Sequence, residues 1–198
     1  KNAGSDFISG EMLCHQLGIT RSAVWKHIKN LRENGYEIQS VTNRGYKLEK
    51  SPNTPFASEV NPLLQTEKLG QTLVYYTCVD STNSTAKQHA EDGAPHGTVI
   101  VADRQEQGRG RLQRRWHSPA GVNLYFSALL HPRIPPVNGP SFSLLAALTL
   151  KRVLIRYLPE QSIQIKWPND VLINGKKTAG ILTDIIAQQD CIDSLIIG

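Results

Sequence analysis

The dipeptide Asn174-Gly175, inside "VLINGKKTAGIL", constrains the fold of this chain more than any other feature. Two residues that tolerate positive φ, between β-rich runs, specify a type I′ turn. Strands joined by two residues are antiparallel neighbours, because a parallel pair needs a crossover of a dozen residues or more. The C-terminal part of the chain is therefore not a doubly wound parallel sheet. The triplet Gly108-Arg109-Gly110 agrees with that exclusion. Neither the third glycine nor the helix of a dinucleotide fingerprint follows it.

The first fifty residues carry a different pattern. "SGEMLCHQLG" reads as a short helix with Ser9 as its N-cap and Gly18 as its stop. "ITRSAVWKHIKNLRENG" reads as a second helix, capped by Thr20 and ended by Gly35. Val24, Ile28 and Leu31 fall at i, i+4 and i+7, one apolar stripe. Ser22, Trp25, Lys26 and Lys29 fall on the opposite face, beside Arg21. "YEIQSVTNRGYKLEK" gives two β segments around Asn43-Arg44-Gly45. Helix, turn, helix and hairpin describe a winged helix-turn-helix, whose second helix enters the DNA major groove while the hairpin reaches the backbone. Arg21, Ser22, Trp25, Lys26, Lys29 and Arg44 are its candidate DNA-binding residues. The other reading is a small helical domain whose tryptophan packs on a neighbour. Residues 1–50 hold eight basic and five acidic side chains, a modest surplus.

A proline-bounded linker, 51–57, separates this unit from a mixed α and β region, 58–198. Strands are expected in "TLVYYTCV", "GTVIVADRQ", "VNLYFSALL", "SIQIKW", "VLI", "TAGILTDII" and "CIDSLIIG". Helices are expected after "DSTN" and over "SFSLLAALTLKRVLIRYL", the latter with Leu144, Leu148 and Val153 among its apolar positions.

The net charge of +5 permits a polyanionic partner without requiring one. The sequence holds no apolar run of membrane-spanning length and no signal-peptide pattern at its start. Cys14, Cys78 and Cys191 fit neither a disulfide framework nor zinc spacing, so they read as reduced cysteines of a cytoplasmic protein. The start at Lys1 and the end at "DSLIIG" read as a portion of a longer protein.

"GRGRLQRRWHSP" makes a poor strand and a poor helix. Gly108 and Gly110 allow close backbone approach. Arg109, Arg111 and Arg114 offer forked donors for carboxylate or phosphate oxygens, and Trp116 offers a flat face for a base. Such a stretch grips a small anion, contacts RNA, or is a solvated basic loop. "KWPND" adds Lys166 at a strand end beside a proline-fixed turn. "DSTN" adds Ser81, Thr82 and Asn83 at the start of a helix, where hydroxyls, an amide and free N–H groups bind polar atoms. Alone, "DSTN" is also read as a plain N-cap.

Together, "DSTN", "ADRQEQGRGRLQRRWHSPAGVNLYFSALL" and "KWPNDVLINGKKTAGILTD" resemble the biotin protein ligases. The N-terminal unit makes the chain similar to the bifunctional bacterial type, also the repressor of biotin biosynthesis genes. The resemblance covers about residues 9–198. It implies an α+β chain: a winged helix-turn-helix, then a mixed, largely antiparallel α/β catalytic domain similar to class II aminoacyl-tRNA synthetases, with its C-terminal part beyond Gly198. It implies a biotin–[acetyl-CoA-carboxylase] ligase that uses ATP and Mg²⁺ to form biotinyl-5′-AMP. Biotin then passes to a lysine of a biotin carboxyl carrier protein. Operator DNA and a homodimer in the adenylate-bound state follow as partners. By resemblance, Ser81, Thr82, Asn83 and Gln105 meet biotin's ring system, and Arg109, Gly110 and Arg111 close over biotin and the adenylate. Arg114 would meet phosphate, Trp116 the adenine, and Lys166 the biotin carboxylate and α-phosphate. Where the family's loop often carries a further glycine, Leu112 and Gln113 stand here. The alternatives are a biotin-sensing regulator without ligase activity and a lipoate ligase.

Overall fold

The computed structural model describes residues 6–188 and 190–198. The first five residues of the predicted N-terminal unit lie outside that set. The chain divides into two compact units, Lys1–Thr54 and Pro55–Gly198, and the division falls inside the proline-bounded segment 51–57.

In the first unit, α1 (Gly10–Leu17) starts where Ser9 Oγ accepts the Met12 N–H at 3.1 Å, and it ends at Gly18 in the left-handed region. Helix α2 (Arg21–Glu33) is capped by Thr20 Oγ1, which accepts the Ala23 N–H at 3.3 Å, and it stops at Asn34-Gly35. Val24 and Ile28 of its apolar stripe are buried with Tyr36. Strands β1 (Glu37–Val41) and β2 (Gly45–Lys50) form the expected antiparallel hairpin. Gly45 is required there, since a Cβ would fall 2.1 Å from the Ile8 carbonyl oxygen and its φ is +102°. Arg32 belongs to this scaffold, donating to the Ile38 carbonyl and tying α2 to the hairpin.

The second unit opens with a short helix α3 (Ala57–Val60) and is built on a five-stranded sheet. Its order is β3 (Leu73–Val79), β4 (Val99–Gln105), β5 (Tyr125–Leu130), β10 (Cys191–Ile197) and β9 (Thr183–Gln188). Between β3 and β4 the chain crosses over through α4 (Thr82–Glu91), and these two strands are parallel. The other pairs of the sheet are antiparallel, so it is mixed and largely antiparallel, as expected. Ala86 of α4 packs on Ile100, Leu129 and Ile196 in its core.

A second sheet of β6 (Ile163–Lys166), β7 (Asp170–Ile173) and β8 (Lys176–Gly180) is antiparallel throughout. Asn174 and Gly175 both take positive φ, at 51° and 76°, the type I′ geometry their sequence demands. Helix α5 (Ser141–Tyr157) buries Ala147 against Ile163, Val171 and Ile181, with Leu150 and Leu154 partly buried beside it. This corrects the phase read from the sequence. Leu144, Leu148 and Val153 lie on the exposed face. The helix is apolar nearly all round, so periodicity does not select its inner face.

Candidate active site and nucleic-acid face

The inward positions of β5 run Tyr125, Ser127, Leu129, and Ser127 puts a hydroxyl where the alternation calls for an apolar group. That hydroxyl is the centre of a buried polar chain. Ser127 Oγ lies 2.6 Å from Asn83 Oδ1 and 2.8 Å from Thr82 Oγ1. Asn83 Nδ2 donates to Asp184 Oδ2 at 2.8 Å and to the Leu182 carbonyl at 3.2 Å. The Thr82 backbone N–H donates to Gln105 Oε1 at 2.8 Å, and Thr82 Oγ1 stands 3.2 Å from the same oxygen. Gln105 Nε2 then donates to Ser118 Oγ at 2.9 Å, and Ser118 Oγ to the Trp116 carbonyl at 3.2 Å. Each link satisfies a polar atom that burial would otherwise leave costly.

Ser81 occupies the N-cap position of α4 yet makes no side-chain cap bond. "DSTN" is thus no plain cap. The residue is 4% exposed, and its hydroxyl is not spent on capping the helix. Asn83 is the opposite case: both ends of its amide are already held by protein atoms.

The basic loop leaves β4 and returns through a short bridge between Arg109 and Arg115. The Gly110 N–H donates to the Arg114 carbonyl at 2.7 Å, and the Trp116 N–H to the Gly108 carbonyl at 2.8 Å. Its tip is a 3₁₀ turn, Arg111–Gln113, in which Leu112 and Gln113 take φ of 56° and 57°. The left-handed backbone is adopted here by two residues with side chains, at a strain cost. Arg109 donates to Ser84 Oγ of α4 at 2.7 Å, and Arg111 reaches Asn169 Oδ1 at 3.4 Å. The Trp116 ring lies against Gly180, where a Cβ would come within 3.2 Å of it. The Lys177 ammonium sits 5.0 Å from the ring centroid and pairs with Asp170 at 2.7 Å.

Lys166 ends β6 opposite Asp170. It is exposed and makes no ion pair among the described residues, and the same holds for Arg114. The turn that follows Lys166 is anchored at Asn169, whose Nδ2 donates to the Ile181 carbonyl at 2.8 Å while its own carbonyl accepts the Ile181 N–H. Three residues on, Asp184 holds Asn83. The three motifs separated in sequence are thus linked in space through Ser84–Arg109, Arg111–Asn169 and Asp184–Asn83. The side chains of Arg114 and Lys166 make no ion pair among the described residues that joins them to these links. The arrangement offers a desolvated row of hydroxyls and amides beside several free cations, suited to a ligand with a polar ring at one end and an anion at the other. No three His, Cys, Asp or Glu side chains among the described residues converge on a common point.

Sequence reading alone did not single out Ser84, Ser118, Ser127, Asn169, Lys177 or Asp184. Ser127 carried a usable signal, a polar residue at a core-facing strand position. Asp184 carried none, because its partner lies 101 positions away.

In the first unit, Trp25 on α2 is 60% exposed, and the Lys29 ammonium approaches its ring at 5.9 Å. Arg21 reaches Glu11 at 3.9 Å and Lys29 reaches Glu33 at 3.8 Å, both long and solvated pairs worth little. Ser22 Oγ meets Thr20 Oγ1 at 2.9 Å. Lys26 has no ion pair among the described residues. The wing residue Arg44 stacks its guanidinium 4.3 Å from the Phe7 ring. An exposed tryptophan between lysines, with an arginine at the hairpin tip, forms a cationic and aromatic face.

Residues 75–198 match the model of the biotin/lipoate A/B protein ligase family, and residues 1–47 match an HTH domain. The chain is 47% identical to the bifunctional ligase/repressor BirA of Bacillus spizizenii over 196 residues, which is 99% of this chain and 60% of that protein. It is 32% identical to the bifunctional ligase/repressor BirA of Escherichia coli over 196 residues, 99% of this chain and 59% of that one. The biotin protein ligase from Aquifex aeolicus, solved in complex with biotin and ATP, is similar at 35% identity with a TM-score of 0.52, covering 64% of this chain and 51% of that chain. The chain thus spans about 60% of the length of the curated relatives it matches.

Proposed function

We propose, because this chain belongs to the biotin/lipoate A/B protein ligase family, that it is a biotin protein ligase and, through its HTH domain, a DNA-binding repressor of biotin biosynthesis genes. Biotin and ATP react to give biotinyl-5′-AMP and pyrophosphate, and biotin then passes to a lysine of a biotin carboxyl carrier protein. The observation that carries the reading is the meeting of the arginine loop with the start of α4 and the Lys166 turn around one buried hydroxyl and amide chain.

In this reading the residues do no covalent chemistry. A carboxylate attacks an α-phosphate, both negatively charged, and the site must remove that repulsion and hold the two in line. Ser81, whose hydroxyl makes no cap bond, and the Thr82–Gln105 pair face the polar ring of biotin. Asn83 acts behind them by holding Ser127 and Thr82. Arg109 and Arg111, fixed at Ser84 and Asn169, close over the carboxylate. Lys166 and Arg114, which make no ion pair among the described residues, neutralise the carboxylate and phosphates. Trp116, backed by Gly180, takes the adenine. Mg²⁺ enters with the nucleotide as MgATP and supplies further neutralisation of the triphosphate. The closed loop shields the adenylate, a mixed anhydride that water would hydrolyse. The DNA face is Arg21, Ser22, Trp25, Lys26, Lys29 and Arg44. The adenylate-bound protein works as a homodimer, in the cytoplasm.

Pyrophosphate release on mixing the protein with biotin and MgATP tests the enzyme reading. Release with biotin and none with lipoate is expected. Release with lipoate alone would make this a lipoate ligase, and biotin binding without release would leave a biotin-sensing regulator.

A further inference from the structure

The arginine loop is a small hairpin made of two unlike parts. Its base is a ladder. The Gln105 N–H donates to the Ser118 carbonyl at 3.1 Å, the Trp116 N–H to the Gly108 carbonyl at 2.8 Å and the Gly110 N–H to the Arg114 carbonyl at 2.7 Å, and Arg109 faces Arg115 between the last two. Its tip is Arg111–Gln113. One bond closes the tip, from the Arg114 N–H to the Arg111 carbonyl at 3.3 Å, and Leu112 is 83% exposed. The contact from Arg111 to Asn169, at 3.4 Å, lies at the weak edge of hydrogen bonding. A two-stranded ribbon standing alone in water is marginal, so the base calls for an outside anchor. Arg109 provides it. Its guanidinium donates to Ser84 Oγ at 2.7 Å, a charge-assisted bond. Ser84 lies in the first turn of α4, a firmly held helix end. The residue before it, Asn83, is bonded to Asp184 and Ser127, and Ala86, two residues on, is buried on Ile100, Leu129 and Ile196.

We propose that Ser84 is a positioning residue that pins the base of the arginine loop to α4 through Arg109, so that the base stands without ligand and closure is confined to the tip, Arg111–Gln113. The proposal rests on the biotin reading for what the tip closes over. The backbone fits that division. Leu112 and Gln113 hold left-handed φ of 56° and 57°, a conformation that costs free energy for residues with side chains. The tip therefore has the least to lose by rearranging, and the base, with its ladder and its pin, has the most. Arg109 keeps its place when ligand arrives, and Arg111 is the arginine that moves.

Backbone amide exchange of the full chain, resolved by residue with NMR, tests this without ligand. In the parent the Gly110 and Trp116 amides should exchange at least about tenfold more slowly than those of Leu112 and Gln113. In Ser84→Ala the Gly110 and Trp116 amides should speed up about tenfold, the range of one lost hydrogen bond. The amides of α4 and the melting temperature should stay at their parent values, which a role in holding the helix together would not allow. Ser84→Thr keeps the hydroxyl and should recover the protection. Equal exchange in the parent and Ser84→Ala, or a loss that Ser84→Thr repeats in full, overturns the proposal. Biotinyl-5′-AMP then tests where closure occurs. It should slow the Leu112 and Gln113 amides and leave Gly110 and Trp116 as they were, and slowing of all four alike would make the whole loop the moving part and overturn it too. If the parent binds neither biotin nor the adenylate, the functional reading fails by itself, and the exchange of the free protein still decides whether Ser84 is the pin.

Discussion

At Gly108 a Cβ atom would fall 2.6 Å from the Trp116 carbonyl oxygen and 2.7 Å from Ser118 Oγ. Backbone cannot yield cheaply at such distances. At Gly110, in an extended conformation that any residue adopts, a Cβ would meet only the Arg114 carbonyl at 3.6 Å. The two glycines look alike in the sequence and differ in what surrounds them. Gly108→Ala should cost about 1–3 kcal/mol of stability, the usual penalty for forcing atoms into a packed site. It should weaken biotin binding too, since Ser118 supports Gln105. Gly110→Ala should leave the melting temperature within about a degree of the parent, as substitutions without a clash do. Thermal melts of both variants check this, and equal losses would show that the loop tip, not the Gly108 crossing, sets the constraint. Arg111→Gly removes a cation held by one long bond to Asn169. It should speed loss of the adenylate from the site while leaving the melt unchanged, as read by retention of labelled adenylate on gel filtration.

Elements were legible in the sequence wherever a short-range signal determines them. The caps at Ser9 and Thr20, the stops at Gly18 and Gly35, and the turn at Asn174-Gly175 each depend on a handful of adjacent residues, and each stands where its chemistry puts it. The motif residues of the site were legible for the same reason. What joins them was not: Asn83 meets Ser127 44 positions away and Asp184 101 positions away. Such pairings come from sheet order, and the parallel pairing of β3 with β4 has no local mark either. Helix α5 fails for another reason. Its sequence is apolar on both faces, so the neighbours decide which side is inside, and here they select Ala147, Leu150 and Leu154 over Leu148. Leu154→Ala should therefore destabilise this chain by about 2–3 kcal/mol. Leu148→Ala, at a position 42% exposed, should cost less than half of that. Denaturant midpoints decide the matter, and a larger effect at Leu148 would reverse the assignment of the inner face.

On the scale of the whole molecule, the two units divide the chemistry as well as the chain. The hydroxyl and amide network and the arginine loop lie entirely within Pro55–Gly198, and the aromatic and cationic face of α2 lies entirely within Lys1–Thr54. Their cores are separate too: Val24, Ile28 and Tyr36 serve one, and the clusters around Ile100 and Val171 serve the other. A unit of this smaller size buries little apolar surface and is only marginally stable alone. The larger one has two apolar clusters to hold it. Removal of residues 1–54 should therefore abolish operator binding and leave a cooperatively unfolding 55–198 unit with biotin affinity within about threefold of the parent, as expected for independent sites. Lys26→Ala should make the finer cut. With no ion pair within the described protein to lose, it should spare stability and lower DNA affinity, with a shallower dependence on salt by about one counterion. Gel-shift titrations at several salt concentrations read both quantities. Operator binding that survives the deletion would move the DNA face to the larger unit, where the exposed arginines of the 108–116 loop are among the basic candidates.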